Sequence, residues 1–171
     1  MTTGSLVFVQ GASLPSALHL VGPAEPGIGL SLSGVLRDDR GPVAGALLHV
    51  YQTDSGGRYT PERAMDEPHA RLNGHLRTDS LGRFEIHTIR PGGYPQPMQL
   101  GGKTRHIPAH IHIDVQSPGR AERKFQVVFS DDPNLTDPYW IDWAKKLGEP
   151  IVTVRPVGGG VAATLDLRLT P

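Results

Sequence analysis

Glycine and proline punctuate this chain from end to end: 21 and 16 of them stand in 171 residues. Glycine supplies the positive φ that tight turns need and proline presets the first turn position, so dispersed punctuation reads as many short strands joined by turns. Residues 28–38 alternate, with Leu30 and Leu32 on one face and Val35 continuing it past an irregularity at Gly34. DDRG (38–41) is a turn, and residues 42–53 form the next strand, with Ala46, Leu48 and Val50 inward. DSGGRY (54–59) is a turn, 75–89 reads as strand, DSLG turn and strand, and RPGGYP (90–95) is a loop. Residues 106–117 form one strand with Ile111, Ile113 and Val115 on its apolar face, and 123–132 supply its expected partner. A single helix is expected over 137–148, capped by Asp137 and stopped by Gly148, before a closing hairpin around 158–160. The expectation is an all-β, single-domain antiparallel β-sandwich over 1–171, with long loops and at most one or two short helices.

Charge and cysteine content exclude several classes of function. Lys plus Arg equals Asp plus Glu at 17 each, so there is no field to draw nucleic acid or an anionic membrane surface. There are no cysteines, which rules out a disulfide scaffold, thiolate metal sites and a cysteine nucleophile. Any metal must be held by His, Tyr, Asp or Glu. No apolar run approaches the ~18 residues that span a bilayer, and the N-terminus lacks a basic leader pattern, so a cytoplasmic protein with a small-molecule or protein partner is expected.

The segment IPAHIH (107–112) is the sharpest chemical signal. On a strand, residues i and i+2 share a face, so His110 and His112 stand side by side, about 7 Å apart along the backbone. Imidazoles so placed can share a metal ion, although the same pattern also arises on ordinary solvent-facing strands. Asp114 continues that face and would complete a two-histidine, one-carboxylate iron site. A cupin would carry a glutamate three or four residues after the pair, and Val115 and Gln116 occupy those positions. Two tyrosines, Tyr59 in GGRY and Tyr94 in PGGYP, sit in turns whose stiff backbone can aim a side chain inward.

From Gly34 to Asp132 the sequence resembles the intradiol ring-cleavage dioxygenases, most closely the protocatechuate 3,4-dioxygenase type. Four blocks carry the likeness in family order: GVLRDDRGPVAGALLHVYQTDSGGRY, RTDSLGRFEIHTIRPGGYP, PAHIHIDV and FQVVFSDD. Residues 34–132 would thus be the motif-bearing core and 1–33 an extension, which does not resemble the helical dimerisation region of the catechol and hydroxyquinol subgroups. The resemblance implies non-haem Fe(III) held by Tyr59, Tyr94, His110 and His112, a catechol-type substrate, O₂ as co-substrate and a muconate-type diacid as product. It makes Tyr94 the tyrosinate that substrate displaces and puts Gln126 near the substrate. Arg58, Arg90, Arg105 and Ile107 are the candidate substrate contacts, with Ile107 standing where the family commonly has arginine. Protocatechuate enzymes pair unlike chains, so the expectation leaves room for a homo-oligomer or a partner subunit.

The physics of the four residues agrees with ferric iron. A free tyrosine ionises only near pH ~10, so a neutral-pH phenolate needs a strong Lewis acid on its oxygen. Two hard phenolates stabilise Fe(III) over Fe(II). GVLRDDRGPVAGA and RTDSLGRFEI also resemble transthyretin-like and carboxypeptidase-regulatory-like β-sandwich binding modules, so these two blocks mark a scaffold. A non-catalytic module of that kind is the competing expectation, and it lacks the ligand set.

Overall fold

The computed structural model describes residues 13–100 and 102–169. In chain order the strands are β1 (Ala17–His19), β2 (Gly29–Asp38), β3 (Gly41–Pro42), β4 (Leu47–Gln52), β5 (Leu72–Arg77), β6 (Arg83–Ile89) and β7 (Tyr94–Leu100). They continue with β8 (Lys103–Ile107), β9 (His110–Gln116), β10 (Arg123–Phe129), β11 (Ile151–Val152), β12 (Arg155–Val157), β13 (Gly160–Thr164) and β14 (Leu167–Arg168). The α-helix, α1, spans Pro138–Leu147. One sheet runs β1-β6-β2-β13-β12, with β3 and β14 also on β2. The facing sheet runs β11-β10-β9-β4-β5, and β7-β8 form a separate hairpin. The central pairings are antiparallel, as expected of the sandwich, while β1, β11, β13 and β14 add to their neighbours in parallel. Among the described residues no helix is long and apolar enough to cross a membrane.

The core lies between the sheets and is built by period-two alternation. Leu48 and Val50 from β4, Ile111, Ile113 and Val115 from β9, and Phe125 and Val127 from β10 meet Leu30, Leu32, Leu36, Phe84 and Ile86 of the other sheet. The alternation of β2 differs from the expected one. Gly34 takes the inward position in phase with Leu30 and Leu32, and the next core residue is Leu36 rather than Val35. A Cβ at Gly34 would lie 1.6 Å from the Leu165 carbonyl oxygen, so the glycine is required by a close backbone approach and no bulge is needed.

Three other expectations change for identifiable reasons. The strand read over 42–53 shortens to β4, because Thr78 Oγ1 accepts from Ala46 N (2.9 Å) and donates to the Val43 carbonyl (2.7 Å), replacing ladder bonds there. β5 and β6 belong to different sheets, so the DSLG turn crosses the sandwich instead of closing a hairpin. The strand read over 106–117 divides into β8 and β9 at Pro108 and Ala109. Pro108 has no N–H to donate, and Ala109 N turns to the buried Asp132 carboxylate at 3.0 Å. The helix follows its sequence signals: Asp137 Oδ1 accepts from Tyr139 N at 3.0 Å, and Gly148 closes the C-terminus at φ 68°.

Replacing Gly34 by alanine is expected to cost about 3 kcal/mol or more, since backbone must move to admit the methyl group. The control Gly29→Ala, with no atom within 4 Å of its new Cβ, should stay within about 0.5 kcal/mol of the parent. Urea denaturation of both variants checks this; equal losses would refute the backbone-contact account.

Candidate metal centre

Register on the five-stranded sheet assembles the site. The core-facing residues Ile111 and Ile113 fix β9, so His110 and His112 face outward. On that face the pairings align Asn73, Tyr51, His112 and Gln126 in one cross-strand row, and His75, His49, Asp114 and Lys124 in the next. An outward face would ordinarily be wet, yet His110 and His112 are buried. The segments carrying Tyr59 and Tyr94 cover them.

These covering segments are held by backbone-to-backbone contact. Asp54 Oδ1 accepts from Gly56 N (2.9 Å) and Arg58 N (3.0 Å), and its carbonyl accepts from Gly57 N (3.1 Å) and Gly92 N (2.8 Å). Thr53 Oγ1 donates to the Gly92 carbonyl at 2.8 Å. Gly57 has φ 77°, and a Cβ there would meet the Gly93 carbonyl oxygen at 2.3 Å; one at Gly93 would meet that of Ile107 at 2.5 Å. Three segments thus stack without side chains between them. Tyr59 is clamped further, its N–H donating to Ala64 O and its carbonyl accepting from Arg71 N, both at 2.8 Å. Tyr94 is paired with Ile107 at the open end of the β7–β8 hairpin, where a loop alone had been expected.

Four polar atoms converge as a result. Tyr59 Oη lies 2.9 Å from His112 Nε2, 3.3 Å from Tyr94 Oη and 3.4 Å from His110 Nε2, and the two Nε2 atoms are 3.0 Å apart. Atoms bound to one cation at about 2.0–2.2 Å are separated by roughly 3–3.5 Å, which matches this cluster. His110 Nδ1 donates to the Pro108 carbonyl at 2.8 Å. The carbonyl can only accept, so neutral His110 presents a bare lone pair at Nε2. Among the described residues no group of three His, Cys, Asp or Glu could hold a metal ion. Asp114 sits one row away, 3.3 Å from Lys124 Nζ, and so is not brought into the cluster.

Burial dominates the electrostatics. It raises the Tyr59 phenol far above its ordinary range, with Tyr94 and Glu67 acting in the same direction. Tyr94 is raised for the same reason, opposed by its hydrogen bond with Tyr59. His110 is pushed down by burial against the pull of the Pro108 carbonyl and Asp132. His112 falls to about 3, through burial first and then through His110, Lys124 and His49. Without a cation the site holds two neutral phenols and two neutral imidazoles. That set offers lone pairs but no compensating positive charge.

The remaining candidates lie around the cluster. Gln126 faces His112 directly across the strand pair. Ile107 packs against the buried cluster that contains Tyr59 and Tyr94 and also against the cluster of Val128, Leu135 and Trp140. Trp140 is buried under α1 and Trp143 packs beside it, so the helix lies on the sandwich next to the site. The arginines are engaged elsewhere. Arg58 is exposed and donates to the Pro61 carbonyl, and Arg90 forms a two-bond ion pair with Asp131 over the Phe129 ring. Arg105 pairs with Asp137 and lies over Tyr139. Sequence reading missed Tyr51 and Glu67, which border His112; the only signal for Tyr51 was its place beside His49 on the outward phase of β4.

In the metal-free protein, the histidines give stability a defined pH dependence. Unfolded, they take up protons near the ordinary ~6.5; folded, His112 does so only near 3. As pH falls through that window the unfolded chain binds the extra proton, so folding stability declines. Urea midpoints measured from pH 7 to 4 should fall less steeply for His112→Gln than for the parent, and parallel slopes would contradict the assignment.

Residues 7–163 match the family model described as Dioxygenase. Catechol 1,2-dioxygenase 2 of Acinetobacter lwoffii is 30% identical over 143 residues, covering 78% of this chain and 52% of that protein. Chlorocatechol 1,2-dioxygenase of Rhodococcus opacus is 32% identical over 121 residues, covering 65% and 47%. The dioxygenase domain of a dioxygenase–carbohydrate-binding fusion protein from Streptomyces sp. SirexAA-E superposes with a TM-score of 0.66 at 28% identity, covering 99% of this chain and 96% of that one. Catechol 1,2-dioxygenase from Pseudomonas arvilla C-1 shares the fold at a TM-score of 0.73 and 24% identity, covering 96% and 59%. The chain spans about half the length of the curated relatives it matches. Those relatives carry catechol-type names where the motifs pointed to the protocatechuate type; what they share with this chain is the family. With the family model matching nearly its whole length, the chain belongs to the intradiol ring-cleavage dioxygenases.

Proposed function

We propose that this chain is a non-haem Fe(III)-dependent intradiol dioxygenase. It opens the ring of a catechol-type aromatic between its two hydroxyl-bearing carbons and inserts both atoms of O₂ to give a muconate-type diacid. The observation that carries this reading is the convergence of Tyr59 Oη, Tyr94 Oη, His110 Nε2 and His112 Nε2 within 2.9–3.4 Å of Tyr59 Oη or each other. These four residues would hold the iron. Burial opposes phenolate formation so strongly that a bound, highly charged cation is what makes two phenolates tenable there. Two phenolates and two neutral imidazoles leave one net positive charge to meet an anionic substrate.

Ferric iron held by these four residues would supply Lewis acidity to a catechol-type substrate for its reaction with O₂. The protein does the rest. Tyr94, the more accessible phenol at 7% exposure against 1% for Tyr59, would take a proton from an incoming hydroxyl at its Oη. Tyr59, clamped through both of its backbone groups, stays in place. Gln126, the cross-strand neighbour of His112, would offer its amide to the substrate. Ile107 with Val128, Leu135 and Trp140 forms an apolar flank that limits water. Catechol plus O₂ balances to the diacid, so no external reductant is required. A cytoplasmic location belongs to the same reading.

Iron-loaded protein should be burgundy, from tyrosinate-to-iron charge transfer, and should consume O₂ stoichiometrically with ring opening of a catechol. Tyr94→Phe should shift the band and lower kcat by orders of magnitude, and His110→Ala should remove both colour and turnover. A protein that takes up iron without colour, or shows colour with no turnover across a panel of substituted catechols, would return the non-catalytic binding module to favour.

A further inference from the structure

The two histidines of the cluster are anchored differently. His110 is tied at Nδ1 to the Pro108 backbone carbonyl, which fixes its ring. Among the described residues, the side-chain hydrogen bonds of His112 all run through Nε2, to Tyr59 and His110 inside the cluster. Once Nε2 is engaged by a metal, these bonds no longer define the plane of the ring. Something else must do so.

The cross-strand row supplies it. Tyr51, directly opposite His112 on β4, lies flat on the imidazole with ring centroids 4.5 Å apart and planes within 3°. It is itself held from two directions. His49 contacts its ring at 4.9 Å, and His49 in turn stacks on His75 at 4.4 Å and 13°. The Tyr51 hydroxyl donates to Glu67 Oε1 at 3.2 Å, and that oxygen lies 3.8 Å from His112 Nε2. A ring so fixed, and parallel to its neighbour, restricts rotation of the imidazole about χ2, the torsion that aims Nε2.

We infer that Tyr51 is a positioning residue for His112: its parallel stack, braced by the His49–His75 pair and by Glu67, sets the plane in which His112 presents Nε2 to the metal. The inference rests on the metal centre proposed above. Its agent is the flat ring; the hydroxyl bond to Glu67 serves to hold that ring.

The test is iron affinity by chelator competition, read with the tyrosinate-to-iron absorption band, on the parent, Tyr51→Phe and Tyr51→Leu. Residues that orient a metal ligand typically contribute about 10–100-fold in metal affinity. Tyr51→Leu, similar in bulk but without a flat ring, should lose affinity in that range and alter the band, while its metal-free form melts cooperatively near the parent. Tyr51→Phe, which keeps the stack, should stay within about threefold of the parent with the band in place. Parent-like affinity and spectrum in Tyr51→Leu would overturn the inference. So would a loss in Tyr51→Phe as large as that in Tyr51→Leu, and if the leucine variant does not fold, Tyr51→Phe decides alone. Failure of the parent itself to bind iron would instead sink the metal centre, a result distinguishable from either.

Discussion

The register of β9 is the constraint on which the rest of this structure depends. Ile111, Ile113 and Val115 are driven into the inter-sheet core by loss of apolar surface to water, and strand geometry then sends His110, His112 and Asp114 to the opposite face. A slip of one residue would exchange the two sets, burying imidazoles in the core and stranding isoleucines outside. Both neighbours of β9 are locked by the same alternation, so Tyr51 and Gln126 arrive beside His112 without any specific attraction being needed. The core therefore specifies the site from behind.

What turns an outward face into a buried site is the closeness of three backbone segments. Gly57, Gly92 and Gly93 let the turn after β4, the loop after β6 and the end of β8 pack with no side chains between them. Asp54 and Thr53 supply the hydrogen bonds that hold them. The two tyrosines thereby descend onto two imidazoles already aligned by the sheet. The desolvation that follows opposes charge on every one of the four groups. Such a cluster is poorly satisfied by its own protons and well satisfied by a cation, which links the packing of glycines to the chemistry of the family.

The same face continues past the cluster as a polar row, and the two rows are coupled through rings. His75, His49, Tyr51 and His112 form a stepwise stack running from the edge strand β5 to the centre of the site. On the opposite flank, Ile107 joins the tyrosine cluster to the aromatic cluster under α1. The centre is therefore bordered by polar rings on one side and by apolar bulk on the other.

Much of this was legible in the chain. Alternation placed the apolar faces of β4 and β9 and the paired histidines of β9, and Asp137 and Gly148 bounded the helix, because those signals depend on local geometry alone; Tyr59 and Tyr94 joined the histidines only through the family resemblance of the GGRY and PGGYP segments. Where sequence reading went astray, the decisive contact was remote. Leu36 rather than Val35 continues the core face because Gly34 accommodates the Leu165 backbone from 131 positions away, and β8 separates from β9 because Ala109 answers to Asp132. Equally invisible in the sequence were the carboxylate partners of Arg90 and Arg105, Asp131 and Asp137, which only the fold brings near. The sequence by itself determined a β-sandwich with two histidines on one strand face and two tyrosines in glycine-rich turns. Only the tertiary structure decided that all four meet and that Tyr51 lies flat against His112, because cross-strand register and loop packing arise from contacts between segments far apart in the chain.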